Sequence, residues 1–180
     1  MAGDFPAMRV LTAAGLTLEP QVAAHADAMF AVLSDPAIYE FENAPPRSLE
    51  WLRERFTRLE TRVSGDGTQL WLNWVIRIAR GELIGYVQAT VHPGKSAGIA
   101  YELASAYWGR GLARTAVTTM IDELVVRYGV RRLNAVAVRT NQRSLRLLER
   151  LGFALASPEQ HAEHGVDPAE VLLSRTVTPP

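Results

Sequence analysis

The chain of 180 residues contains no cysteine. Disulfide frameworks, thiol nucleophiles and cysteine-ligated zinc are therefore excluded. The compartment stays open on that ground, because a lack of cysteine suits any redox environment. Lysine is nearly missing as well: 18 of the 19 basic residues are arginine, and Lys95 stands alone. No stretch approaches the ~20 apolar residues that a membrane helix needs. Val10–Leu16 is weakly apolar, but Thr12 and Gly15 interrupt it and no clear cleavage site follows, so it reads as the lead-in to a first strand. Internal repeats and low-complexity tracts are absent too. A cytoplasmic protein with no membrane partner is expected.

There is no net charge either, with 19 basic against 19 acidic residues. That balance argues against a protein that coats nucleic acid or an anionic membrane. The zero is nevertheless uneven. Residues 1–90 carry 8 basic and 11 acidic groups, residues 91–180 carry 11 and 8, and Arg110–Arg150 holds 9 arginines against Asp122, Glu123 and Glu149. Hydrophobic residues make up 48% and charged residues 21%, ordinary for a globular chain. The length suits one self-sufficient core, so a single domain over residues 1–180 is expected.

The patterning gives an α+β order. Leu16–Glu19 reads as a short strand and Val22–Ser34 as a helix with Ala26, Met29, Phe30 and Leu33 on one stripe, stopped by Asp35-Pro36. Ser48 is an N-cap for a helix to about Arg62, whose apolar face is Leu49, Leu52, Phe56 and Leu59. Leu70–Ile78 alternates with period two, and with Leu83–Val91 and Gly98–Leu103 it forms an antiparallel meander. The spacing then changes to helical from Leu112 to Tyr128, ahead of a strand at Arg132–Val138. A strand, helix and strand in that order make a right-handed crossover, which sets Arg132–Val138 parallel to Gly98–Leu103. A short helix over Asn141–Leu151 and strands at Phe153–Ala156 and Glu170–Arg175 complete the order. His161 and His164 fall in the loop before the last strand, with too few neighbouring ligands for a metal site.

Trp108-Gly109-Arg110-Gly111-Leu112-Ala113 joins the third meander strand to the long helix. The glycines permit left-handed backbone and close approach of a ligand. The helix amides of Arg110–Ala113, with Arg110 and Arg114, suit a pyrophosphate. A tight turn that needs small residues is the competing reading. A dinucleotide fingerprint fails, because position 114 is arginine and Arg131–Arg139 contains no acid. A nucleoside-triphosphate loop fails for want of Gly-Lys-Ser/Thr.

Four segments together resemble the GNAT N-acetyltransferase superfamily. They are Tyr101-Glu102-Leu103, Tyr107 through Ala113, Asn141-Gln142-Arg143-Ser144 and Glu149 through Phe153. Within it they look like the RimJ/RimL-type branch of bacterial ribosomal-protein N-terminal acetyltransferases. The resemblance implies a mixed, mostly antiparallel central sheet whose one parallel crossover splays to admit acetyl coenzyme A, flanked by about four helices. It implies a cofactor-binding core over about residues 98–153 and acceptor-side elements over about 16–92. Leu103 and Ala104 would pair with the pantetheine arm. Trp108, Gly109, Arg110, Gly111, Leu112, Ala113 and Arg114 would hold the pyrophosphate, and Asn141 and Ser144 would lie at the thiol end. Asn141 also suits a plain N-cap, and the two roles can coexist.

Transfer to an amine needs a deprotonated nitrogen, a stabilised oxyanion and a protonated leaving thiol. The resemblance makes Ser144 the proton donor, because the position of the family's tyrosine is Leu148 here, and gives Asn141 a positioning role. Glu102 is the candidate base, against a merely solvated or salt-bridged strand residue; deprotonation through water, or binding of the free amine, is the alternative. The acceptor, a primary amine whose cationic form suits acids interleaved with aromatics, would meet Tyr39, Glu40 and Glu42 on a loop and Gln88 on the meander. An ordinary solvated loop remains open for the first three. The resemblance brings neither a metal nor a nucleic acid, and homodimers are common in that family. A module that binds acyl-CoA without turnover is the other function class left open.

Overall fold

The computed structural model describes residues 5–41 and 44–178. Among the described residues, eight strands form one mixed sheet in the order β1-β2-β3-β4-β5-β6-β8-β7. The strands are β1 (Leu11–Ala13), β2 (Leu16–Pro20), β3 (Leu70–Ile78), β4 (Leu83–His92), β5 (Ser96–Leu103), β6 (Arg132–Val138), β7 (Ala154–Leu155) and β8 (Glu170–Thr176). The helices are α1 (Ala26–Leu33), α2 (Leu49–Leu59), α3 (Leu112–Arg127), α4 (Gln142–Arg150) and α5 (Pro158–Glu163). Every neighbouring pair is antiparallel except β5 and β6. The expected α+β architecture, with one parallel crossover through α3, is what the chain forms.

The alternation of β3 divides the core in two. Leu70, Leu72, Trp74 and Ile76 face a large cluster that includes Ala116, Val117, Met120, Ile121 and Leu124 of α3. Val75 faces the other way and packs with Ala26, Met29 and Leu33 of α1 and Leu52 and Phe56 of α2. Full burial of each large apolar side chain contributes about 1.5–3 kcal/mol, so these few contacts suffice to fasten α1 and α2 to the sheet. Trp74 is wholly buried, and its indole N–H donates to the Arg9 carbonyl at 3.1 Å. Ser48 caps α2 as expected, its Oγ accepting from the Trp51 amide at 3.1 Å.

Three local expectations change. The helix foreseen from Val22 opens as a 3-10 turn, Ala23–His25, in which the His25 Nδ1 accepts from the Val22 amide at 3.1 Å. The strand β1 is additional, paired with β2 over three residues. The segment around His161 is the helix α5 rather than a loop. His161 is held there structurally, its Nε2 accepting from the Leu172 amide at 2.9 Å.

The ladder between β5 and β6 is short. Ser96, Ala97 and Gly98 pair with Arg132, Leu133 and Asn134, and there the pairing ends, although β5 continues to Leu103 and β6 to Val138. A wedge-shaped gap opens in the middle of the sheet.

Candidate active site

The gap leads into a cleft of about 1010 Å³, walled by the start of α3, the loop before it, α4, the ends of β5 and β6, and residues of β4 and α2. At one end Gly109 and Gly111 adopt φ of 73° and 77°. A Cβ at either would meet nothing within 4 Å, so the glycines serve the backbone angle and leave open space in front of it. Gly111 is the N-cap of α3 and offers no side-chain cap, which leaves the first-turn amides of Leu112, Ala113 and Arg114 directed at the cleft mouth. Arg114, Arg143, Arg146 and Arg150 line the cleft, and none forms an ion pair with a described residue. Arg143 lies 3.5 Å over the Trp108 ring, and the Trp108 indole N–H donates to the Leu103 carbonyl at 2.8 Å. Uncapped amides and unpaired guanidiniums fit a ligand bearing several phosphates.

Arg110 is placed differently from the sequence expectation. It is exposed, stacks 5.5 Å over the Tyr107 ring and does not line the cleft. Ala104 is also committed elsewhere, since its amide donates to the Ile84 carbonyl at 2.9 Å. That bond makes Gly85 and Leu103 a facing pair without mutual backbone bonds, so the Leu103 N–H and C=O turn toward the gap. Trp108 occupies the carbonyl, and the Leu103 amide remains directed at the gap.

In the middle of the cleft, Asn141 caps α4, its Oδ1 accepting from the Ser144 amide at 3.1 Å. The Ser144 hydroxyl lies 2.8 Å from the Tyr101 hydroxyl, which reaches it from β5. Sequence reading named Ser144 and missed this partner.

At the other end, Glu102, Tyr86, Gln88, Tyr39 and Arg55 share the wall. Tyr86 and Glu102 are cross-strand partners, and the Tyr86 hydroxyl donates to the Glu102 carboxylate. Burial and that carboxylate hold the Tyr86 hydroxyl well above the ordinary tyrosine range. Tyr39 donates to the Leu33 carbonyl at 2.6 Å, and its pKa is pushed up to about 12 by burial, Glu102 and Asp35. Glu40 is exposed and off the cleft wall, and Glu42 lies outside the described residues. Asp35, read in the sequence only as a helix stop, ties the two ends together. Its carboxylate accepts from the Ser105 amide at 2.7 Å and the Ala37 amide at 3.0 Å, joining the turn after α1 to the loop ahead of α3. Backbone hydrogen bonding from Ser105 holds its pKa below the usual aspartate value.

Among the described residues, no group of three or more His, Asp and Glu could hold a metal ion, and no helix is long and apolar enough to cross a membrane.

A sheet that parts beside a glycine-started helix, with uncapped amides and guanidiniums at one end of a cleft and a carboxylate at the other, suits an enzyme that transfers a group from a phosphate-bearing donor. The chain belongs to the GNAT acetyltransferases: a family profile described as an acetyltransferase (GNAT) domain matches residues 15–154. It is an acetyl-CoA-dependent N-acetyltransferase, with acetyl-CoA as donor and an amine as acceptor. Among solved structures it is similar to RimL, a ribosomal L7/L12 alpha-N-protein acetyltransferase in complex with coenzyme A, at 19% identity and a TM-score of 0.79 over 94% of this chain and 98% of that one. It is similar to the ribosomal-protein-S5-alanine acetyltransferase of Vibrio fischeri, at 19% identity and a TM-score of 0.75 over 94% and 97%. It is also similar to RimJ of Mycobacterium smegmatis in complex with a CoA-disulfide, at 22% identity and a TM-score of 0.73 over 93% and 85%. At these identities the likeness is one of fold.

Proposed function

We propose that the acceptor is a primary amine, including the N-terminal amine of a protein or peptide, and that Glu102 receives its proton. The observation that carries this reading is the single cleft that joins the uncapped start of α3 to the Glu102 carboxylate through the gap between β5 and β6. Residues 98–153 hold the donor and residues 16–92 shape the acceptor side. Acetyl-CoA supplies the activated acetyl group. The amides of Leu112 and Ala113, with Arg114 and the arginines of α4, hold its phosphates. The Leu103 amide faces the position where negative charge develops on the acyl oxygen. Asn141 fixes the first turn of α4, and through it places Ser144 at the thiol end. Glu102 draws the acceptor in as an ammonium cation and then takes its proton, with Tyr86 holding the carboxylate in place. The same reading puts the protein in the cytoplasm. It also allows a homodimer, a state that light scattering checks.

Free-thiol release over a panel of small amines and short peptides tests the assignment. Glu102→Gln is expected to lower turnover by about a hundredfold. Stabilisation by CoA should be unchanged, about 2.7 kcal/mol at a hundredfold excess over Kd. Unaltered turnover of Glu102→Gln at every pH would remove Glu102 as the base.

A further inference from the structure

Protonation of the leaving thiolate lacks an obvious acid. Leu148, which stands where the family resemblance places a tyrosine, is 1% exposed and packed into the core. Ser144 is within reach of the cleft, but an alkyl alcohol is a much weaker acid than a thiol, so on its own it would give up its proton steeply uphill. A phenol, with a pKa near 10, and an alkyl thiol, near 8.5, are far better matched. The phenol closest to Ser144 is Tyr101. It sits on β5 three positions beyond the last rung shared with β6, and its hydroxyl lies 2.8 Å from Ser144 Oγ and 3.4 Å from the Ser144 carbonyl. Both residues are half-buried, and both line the cleft from opposite sides of the gap. Arg143, on the same turn of α4 as Ser144, is stacked on Trp108.

We propose that Tyr101 is the proton reservoir for the leaving group and acts through Ser144. The proposal rests on the reading that Ser144 lies at the thiol end. As the amine nitrogen bonds to the acetyl carbon and the carbon–sulfur bond breaks, the electron pair stays on sulfur. Sulfur takes the proton of Ser144 Oγ while Ser144 takes the phenolic proton of Tyr101. Tyr101 is reprotonated from solvent. The acceptor, entering as an ammonium ion, loses two protons in all, so one proton is released per turnover beside the thiol formed. Tyr101 is thus a positioning and relay residue, and Ser144 is the group that touches sulfur.

The test compares Tyr101→Phe, Ser144→Ala and the double variant. A clasp that merely holds α4 to β5 would lower the melting temperature and leave the chemistry alone. The relay predicts that Tyr101→Phe lowers kcat at least tenfold with KM for acetyl-CoA unchanged, and abolishes the alkaline limb of the kcat–pH profile. Independently of turnover, the thiol of bound CoA, followed by thiolate ultraviolet absorbance, should titrate at higher pH in Tyr101→Phe than in the wild type. Ser144→Ala should match both effects, and the double variant should be no worse than either. Wild-type kcat and an intact alkaline limb in Tyr101→Phe would overturn the relay. So would losses that multiply in the double variant, which would make the two hydroxyls independent. Failure of the wild type to bind CoA at all would instead defeat the site assignment, a separate outcome seen in the same titration.

Discussion

His25 works as a hydrogen-bond acceptor, and that makes it sensitive to acid. Its Nδ1 receives the Val22 amide, while Nε2 lies 3.3 Å from Glu19, which is itself paired with Arg77 at 2.6 Å. Burial holds the imidazole below its ordinary value of 6.5; Arg77 adds to this, and Glu19 and Glu60 oppose it. The unfolded chain therefore binds a proton near pH 6.5 that the folded chain refuses, so this stability is complete above that pH and is lost as the pH falls through the lowered value. The urea midpoint should drop between pH 7 and 5.5, and His25→Gln should flatten that slope; an equal slope in the variant would clear His25. Glu19, held low chiefly by Arg77, has the same sign but acts only below about pH 4.5. At this scale the sequence singled out Glu102, Ser144 and the two glycines, and the structure lines one cleft with all four. It gave no partner to Tyr101, Tyr86 or Asp35, because neither strand alternation nor a helix stop says which distant side chain will arrive there. Tyr101 and Ser144 are 43 positions apart, and Asp35 and Ser105 are 70 apart.

Elements were legible when they were long or capped. Period-two spacing foretold β3 and both of its faces, and the caps at Ser48 and Asn141 announced α2 and α4. The helix α5 escaped although Ser157-Pro158-Glu159-Gln160 carries a reciprocal capping pair, with Gln160 Oε1 accepting from the Ser157 amide at 2.9 Å. Six residues are too few to display an apolar stripe, so only the cap could have revealed it. The place where β4 and β5 close together could not be read at all. At Gly85 a Cβ would overlap the Glu102 carbonyl oxygen and lie 2.8 Å from the Leu103 Cα. Backbone atoms there cannot step aside, so Gly85→Ala must push the end of β5 outward. It is expected to cost about 1–3 kcal/mol in urea unfolding and to reduce kcat, since Glu102 and the Leu103 amide move with that strand. Unchanged stability together with unchanged kcat would show that the strands can part there freely.

Across the whole molecule, the basic excess of Arg110–Arg150 is only partly explained by the donor site. Of its nine arginines, Arg114, Arg143, Arg146 and Arg150 reach the cleft. Arg127 is spent on the buried Glu123, which also pairs with Arg9 at 2.7 Å, and Arg139 donates to the Pro168 carbonyl at 2.8 Å. Charge along the chain reports a region, and only the fold sorts its members. The short parallel ladder has a whole-molecule consequence of its own. The outer borders of the sheet, β1 and β7, are three and two residues long, too short to recruit a foreign strand. Where β5 and β6 separate, the protein carries a longer interior border, and in the proposed function the donor fills it. Hydrogen exchange at Leu103 should slow when CoA is added, while Val75 and Val87 stay as they were; equal exchange with and without CoA would refute this. On that reading the sheet is left unfinished by its own chain, and the molecule it acts with supplies the missing neighbour of β5.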